Sequence, residues 1–239
     1  MMKRGIQAAD RSWPEVESAL LAGASAILPI GASCKEHGEH LPMATDCIQA
    51  DWLVTQILAQ VHAVAWPTLS YGFYPAFVEY PGSCSLQEST FMNVVTELIQ
   101  NIIDSGAKKV YVLNTGISTI QPLKKVIEII SKDKNIQLVN VYYGENFLTT
   151  EKTLKQQQYG SHADEIETSI MLAIAADKVN MKLAKTNEFI KQPGPLNRTQ
   201  AGAANFSPSG VFGDACLATQ EKGKLLVQAM LEDVLQALR

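Results

Sequence analysis

Four cysteines, four histidines and no extended block of either charge sign narrow what this 239-residue chain can be. Cys34, Cys47, Cys84 and Cys216 contain no C-x-x-C pair, which removes a disulfide framework or a cysteine-rich zinc module from consideration. Cys34 reads as a small packing residue. Twenty basic against twenty-four acidic residues give a net charge of −4, without the basic stripe that nucleic acid or an anionic membrane surface would need. No apolar run approaches the roughly 18 residues that span a bilayer. The N-terminus, Met1 to Gln7, has basic residues but no apolar segment behind them, so no signal peptide is read and a cytoplasmic location is expected. With 46% hydrophobic residues and no linker-like stretch, one domain covering 1–239 is expected.

Strand and helix patterns alternate along the chain. Helices are expected over Trp13–Leu21 (Ser12 as N-cap, Gly23 as stop), Ala50–Ala59, Gln87–Ser105, Pro122–Ser131, from Glu167 onward, and at the C-terminus. Strands are expected over Ala26–Ile30, Val61–Pro67, Lys109–Leu113 and Gln137–Tyr143, and the run Thr149–Gln158 reads as a polar connection. Such alternation predicts an α/β fold, a three-layer α/β/α arrangement with a mainly parallel central sheet.

Chemistry concentrates after the first of these strands. Ala26–Ile30 runs into a loop holding Lys35, Glu36, His37, Glu39, His40 and Asp46, two of the four histidines among them. Ligand sites in such sheets lie beyond the carboxyl ends of strands. Imidazole and carboxylate donors suit Zn, Mn or Fe, and a carboxylate such as Asp46 can bridge two ions. A solvated polar loop is the bland alternative. A second concentration is Gly160 to Leu172, with His162, Glu165 and Glu167. The aromatic, Gly/Pro-punctuated segment Tyr71–Leu86 reads equally as substrate wall or subunit contact.

Together these segments resemble the creatininase (creatinine amidohydrolase) family. Pro29-Ile30-Gly31-Ala32-Ser33, His37-Gly38-Glu39-His40-Leu41-Pro42 and Asp46 resemble its first signature; Pro81-Gly82-Ser83 its P-G-T; Asn114-Thr115-Gly116 its N-G-H; His162-Ala163-Asp164-Glu165-Ile166-Glu167-Thr168-Ser169 its H-A-G-E-x-E-T-S; and Ser209 to Gly223 its ending. The order is preserved and the likeness covers nearly the whole chain. It implies metal ligation by His37, Asp46 and Glu167, proton handling by His162 and Glu165, and substrate contacts from Lys35, Glu36, His40 and Ser118. It also implies a homo-oligomer, a hexamer in creatininase itself.

Three departures shape the expected activity. Lys35 stands where the family has a glutamate ligand, Gly116 where it has a histidine ligand, and Glu36 where it usually has glutamine. Both lost ligands belong to the same ion of a two-metal centre. The expectation is therefore an amidohydrolase acting on a C–N bond of a small molecule, with one divalent ion (Zn, Mn or Fe) per chain and the Lys35 ammonium near Asp46 or Glu167. The alternative is a metal-poor relative acting as a ligand-binding or structural subunit.

Overall fold

The computed structural model describes residues 4–130 and 135–239. Its centre is a five-stranded, all-parallel sheet: β1 (Ile6–Gln7), β2 (Ser25–Ile30), β3 (Ala63–Ala65), β4 (Val110–Asn114) and β5 (Ile136–Asn140), in the order β1-β3-β2-β4-β5. Side chains alternate across each strand, and both faces are covered. Ala26, Leu28 and Ile30 of β2, with Val110 and Val112 of β4, pack against α1 (Trp13–Leu21), α3 (Glu88–Asp104) and α4 (Ile120–Ile130). Ile27, Tyr111 and Leu113 face the other way, onto α2 (Thr45–Leu58), α5 (Glu145–Leu154), α6 (Glu165–Ile174) and α7 (Gln220–Ala237). This is the three-layer α/β/α arrangement expected. A two-stranded antiparallel ribbon, β6 (Thr186–Asn187) with β7 (Gly213–Asp214), stands apart from the sheet. Among the described residues no helix is long and apolar enough to cross a membrane.

The chain leaves β2 toward β3 on one side, then crosses back to β4 on the other. The connections after β2 and β4 therefore diverge, and the crevice between them is the switch point where parallel sheets hold ligands. The loop carrying Lys35, Glu36 and His37 follows β2, and the turn carrying Ser118 follows β4.

Local signals explain most element ends. Ser12 and Glu15 form a reciprocal capping box at the start of α1, with the Ser12 N–H donating to Glu15 Oε2 at 3.0 Å. Gly23, at φ +88°, ends that helix in a left-handed conformation.

Four expectations need correction. Helix α2 starts at Thr45, not Ala50, so Asp46 sits in a first helical turn rather than at a strand end. Its early residues Thr45, Asp46 and Gln49 are buried although polar, which hides the apolar period. The expected strand Gln137–Tyr143 stops at Asn140 and bends through a 3-10 turn, Val141–Tyr143. The polar run from Thr149 is largely helix α5, whose one buried residue is Phe147. Its cap is remote: the N–H groups of Asn146 and Phe147 donate to the Asp233 carboxylate of α7 at 3.1 and 2.8 Å. A Cβ on Gly144 would lie 2.1 Å from Asp233 Oδ2, so this cap requires glycine there. The helix expected over Pro122–Ser131 is α4, which begins two residues before Pro122; its expected last residue lies outside the described residues.

Candidate active site at the switch point

The loop after β2 is pinned before any ligand arrives. The Lys35 N–H donates to the Met43 carbonyl at 3.2 Å, and the Glu36 N–H to Ser83 Oγ at 3.0 Å. Gly38, at φ +72°, turns the chain back. These links direct Lys35, Glu36 and His37 toward α2 and α6.

Two imidazoles then face one carboxylate. His37 Nδ1 lies 2.9 Å from the Lys35 carbonyl oxygen, which can only accept, so Nδ1 carries the proton. Its Nε2 points to Asp46 Oδ1 at 3.1 Å and Glu167 Oε1 at 3.7 Å. From the opposite side, His162 Nε2 donates to Glu36 Oε2 at 2.9 Å, leaving Nδ1 3.8 Å from Glu167 Oε2. Glu167 Oε2 also accepts the Ala163 N–H at 2.7 Å. The rings of His37 and His162 are 5.1 Å apart, and Phe77 packs against His162 at 4.3 Å. Glu167 is placed by the start of α6, where the N–H groups of Ile166 and Glu167 both donate to Asp164 Oδ1 at 3.0 Å.

The electrostatics follow from burial and charge. Burial alone would raise the Asp46 carboxyl, but Lys35 and His37 hold it well below the usual carboxylate range. Burial pulls the Lys35 ammonium down, and Asp46, Glu167 and Glu36 more than offset this, so it ends above the usual lysine value. Glu36 is likewise pushed up by burial and, on balance, held low by His162 and the Gly38 N–H. Burial depresses His40 to about 4 and raises Asp164 to about 6.

A cavity of about 260 Å³ opens onto this cluster, and Lys35, Asp46, Ser118, His162 and Glu167 line it. Lys35 Nζ sits 2.7 Å from Asp46 Oδ2, as expected for an ammonium near that carboxylate. His37 is buried beneath, and Glu36 lies behind His162 rather than on the cavity wall. His40 is not brought to the cavity: it is buried, and its Nε2 is clamped to Thr168 Oγ1 at 2.8 Å. Neither Glu36 nor His40, both expected at the substrate, is on the cavity wall. Glu165 is not brought to the cluster either. Its carboxylate accepts the N–H groups of Gln156 and Gln157 at 2.8 Å and the Lys222 ammonium, tying α6 to α7, so its expected proton-handling role gives way to a structural one. Among the cavity residues that the sequence reading did not single out are Phe77, inside the aromatic segment, and Tyr142, whose hydroxyl donates to Gln49. Tyr142 carried no local signal beyond a strand pattern.

The donor set fits one cation well. His37 Nε2 faces two carboxylate oxygens, an arrangement that calls for a proton or a metal ion between them. The 3.1 and 3.7 Å spacings bracket the edge of about 3.4 Å that ligands about 2.1 Å from a tetrahedral ion define. Among the described residues, the set whose donor atoms all lie within 4.8 Å of one another is His37, His162 and Glu167, with Asp46 meeting it through His37 Nε2. A second ion on the far side of Asp46 finds the Lys35 ammonium there. A Cβ on Gly116 would lie 3.8 Å from Asp46 Oδ2, so this residue faces the same oxygen but offers no ligand.

A family model described as Creatininase: Creatinine amidohydrolase matches residues 9–238. The creatinine amidohydrolase of Pseudomonas putida is 22% identical, covering 100% of this chain and 98% of that protein. The 3-dehydro-scyllo-inosose hydrolase of Thermotoga maritima is 26% identical over 86% of this chain and 74% of that protein. A solved mutant creatininase described as Zn-Zn type superposes with a TM-score of 0.82 at 21% identity, covering 99% of this chain and 98% of its own.

Proposed function

Because the chain belongs to the creatininase family, we propose that it hydrolyses a C–N bond of a small amide or cyclic amide, using one divalent ion per chain (Zn, Mn or Fe). The observation that carries this reading is His37 Nε2 facing Asp46 Oδ1 at 3.1 Å and Glu167 Oε1 at 3.7 Å. Those three residues would hold the ion. Bound there, it supplies an acidified water and a Lewis acid for the substrate carbonyl.

The chain's own groups divide the remaining work. The Lys35 carbonyl fixes the His37 tautomer and so aims Nε2. Glu36 does the same for His162 through Nε2–H, leaving Nδ1 free to take a proton from the attacking water and return it to the leaving nitrogen. Glu36 also stabilises the imidazolium that exists between these two transfers. Phe77 and Tyr142 wall the cavity with apolar surface, which suits a flat amide and keeps bulk water from the reacting bond. At about 260 Å³ the space takes a small molecule rather than a folded chain.

Lys35 and Gly116 favour one competing reading, a metal-poor relative that binds a ligand without turnover. The test is hydrolysis of a panel of cyclic and linear amides, followed by release of amine or carboxylate, before and after chelation. The proposal expects turnover that chelation abolishes and Zn, Mn or Fe restores. Turnover indifferent to chelation, or no turnover with any of the three ions, overturns it.

A further inference from the structure

We infer that Lys35 is a catalytic residue of this chain, its ammonium serving as a fixed second cation that binds the substrate carbonyl oxygen. The inference rests on the hydrolase reading above. Lys35 is 5% exposed, yet it lines the cavity together with Ser118, His162 and Glu167. An ammonium has three N–H donors. One is directed at Asp46 Oδ2, 2.7 Å away, and among the described residues no second carboxylate lies within 4.0 Å of it. The Phe77 ring, 5.1 Å from Nζ, closes another side without offering an oxygen. Donors therefore remain for a ligand in the cavity, in a water-poor setting where such a contact is strongest.

Charge balance supports the same role. Asp46, Glu167 and Glu36 bring three carboxylates into a buried cluster. One divalent ion and one ammonium neutralise them; two divalent ions with Lys35 would leave a buried excess of positive charge, which desolvation opposes. The turn after β4 is shaped accordingly. A Cβ at Gly116 would lie only 2.9 Å from Thr119 Oγ1, so this turn resists the side chain a second ion would use. Asp46 thus has a proton-rich partner on one oxygen, the Lys35 ammonium, and a metal-ligand partner, His37, on the other.

In the reaction, attack of water oxygen on the carbonyl carbon forms one C–O bond and moves the C=O π pair onto oxygen. The Lys35 N–H stabilises that oxygen without giving up its proton. The proton lost by water passes to His162 and then to the nitrogen, whose bond to carbon breaks as the C=O bond re-forms. The substrate class is an amide whose carbonyl oxygen is unhindered enough to meet a buried ammonium.

The experiment combines equilibrium dialysis against Zn or Mn with steady-state kinetics. Unmodified protein should bind one ion per chain, and Lys35→Glu should bind two, the second held by the new carboxylate and Asp46 with water where Gly116 offers no ligand. Lys35→Met should lower kcat by roughly 10²–10³-fold with KM changed far less, as for removal of an oxyanion donor, and Lys35→Arg should recover part of the loss. Two ions in the unmodified protein, or a Lys35→Met variant with unchanged kcat, overturns the inference. If Lys35→Met fails to fold, the two dialysis stoichiometries still decide it. Absence of any turnover with one ion bound refutes the hydrolase reading and the carbonyl contact, while the rise to two ions in Lys35→Glu would still support Lys35 as the second cation.

Discussion

Replacing Glu36 with Gln restores the residue that resembling proteins usually carry and removes one charge from a rigid contact. Glu36 Oε2 accepts from His162 Nε2 at 2.9 Å, and Oε1 accepts from the Gly38 N–H. The carboxylate fits there because Gly210 has no side chain: a Cβ at that position would come within 1.8 Å of Oε1. Gln keeps the shape, so the loop should fold, but its single acceptor, kept on His162, leaves its NH2 facing the Gly38 N–H. What is lost is the charge opposite the imidazolium formed during proton transfer. A hydrogen bond to a charged group contributes about 1.5–3 kcal/mol and a neutral one about 0.5–1.5 kcal/mol. The difference, about 1–1.5 kcal/mol, corresponds to roughly a tenfold fall in kcat. Steady-state kinetics on the best amide substrate should show that fall with KM and metal content unchanged. An unchanged kcat refutes the proton-handling account of His162. Loss of metal would show instead that Glu36 acts by orienting a ligand.

Further outcomes follow from neighbouring groups. His162→Ala should lower turnover by roughly 10²–10⁴-fold while metal content, read by elemental analysis, stays the same; loss of metal would make His162 a ligand. His40, neutral and buried with its pKa lowered to about 4, binds its proton more readily in the unfolded chain. Its contribution to stability is complete above about pH 6.5 and is lost as pH falls toward 4. His40→Gln should therefore lose less melting temperature between pH 7 and pH 4.5 than the unmodified protein does, and an equal or larger loss would contradict this. Asp233→Ala should cost about 1 kcal/mol in denaturant unfolding through the lost cap on α5, and an undiminished midpoint would show that α5 is held by Phe147 packing alone.

The sheet was legible because both its faces are covered, so β2 and β4 read as short apolar runs punctuated by Gly, Pro or polar residues. Helices α1 and α3 were legible from local signals, a capping box in one and a strong apolar period in the other. Helix α5 was not, because its cap is Asp233, 86 and 87 residues away from the N–H groups it holds. The start of α2 was masked by buried polar residues: burying Thr45, Asp46 and Gln49 breaks the binary pattern that marks a helix. In the site, motif order brought out His37, Asp46, His162 and Glu167 and the placement of Lys35. It could not separate Glu165 from Glu167. Two residues apart on a helix, their side chains point about 200° away from each other, so only one can face the cavity. Which one depends on Asp164 as the cap and Lys222 as the partner of Glu165. His40 misled for a related reason, since nothing local reveals Thr168 as its hydrogen-bond partner across 128 residues.

The account stands on one cation between His37, Asp46 and Glu167 with an ammonium beside it. The most direct measurement is an anomalous difference map, collected at the absorption edge of the metal found in the purified protein. One peak per chain is predicted, within ligand distance of His37 Nε2, Asp46 Oδ1 and Glu167 Oε1, with Lys35 Nζ on Asp46 Oδ2. Two peaks flanking Asp46, or none at His37, would contradict it.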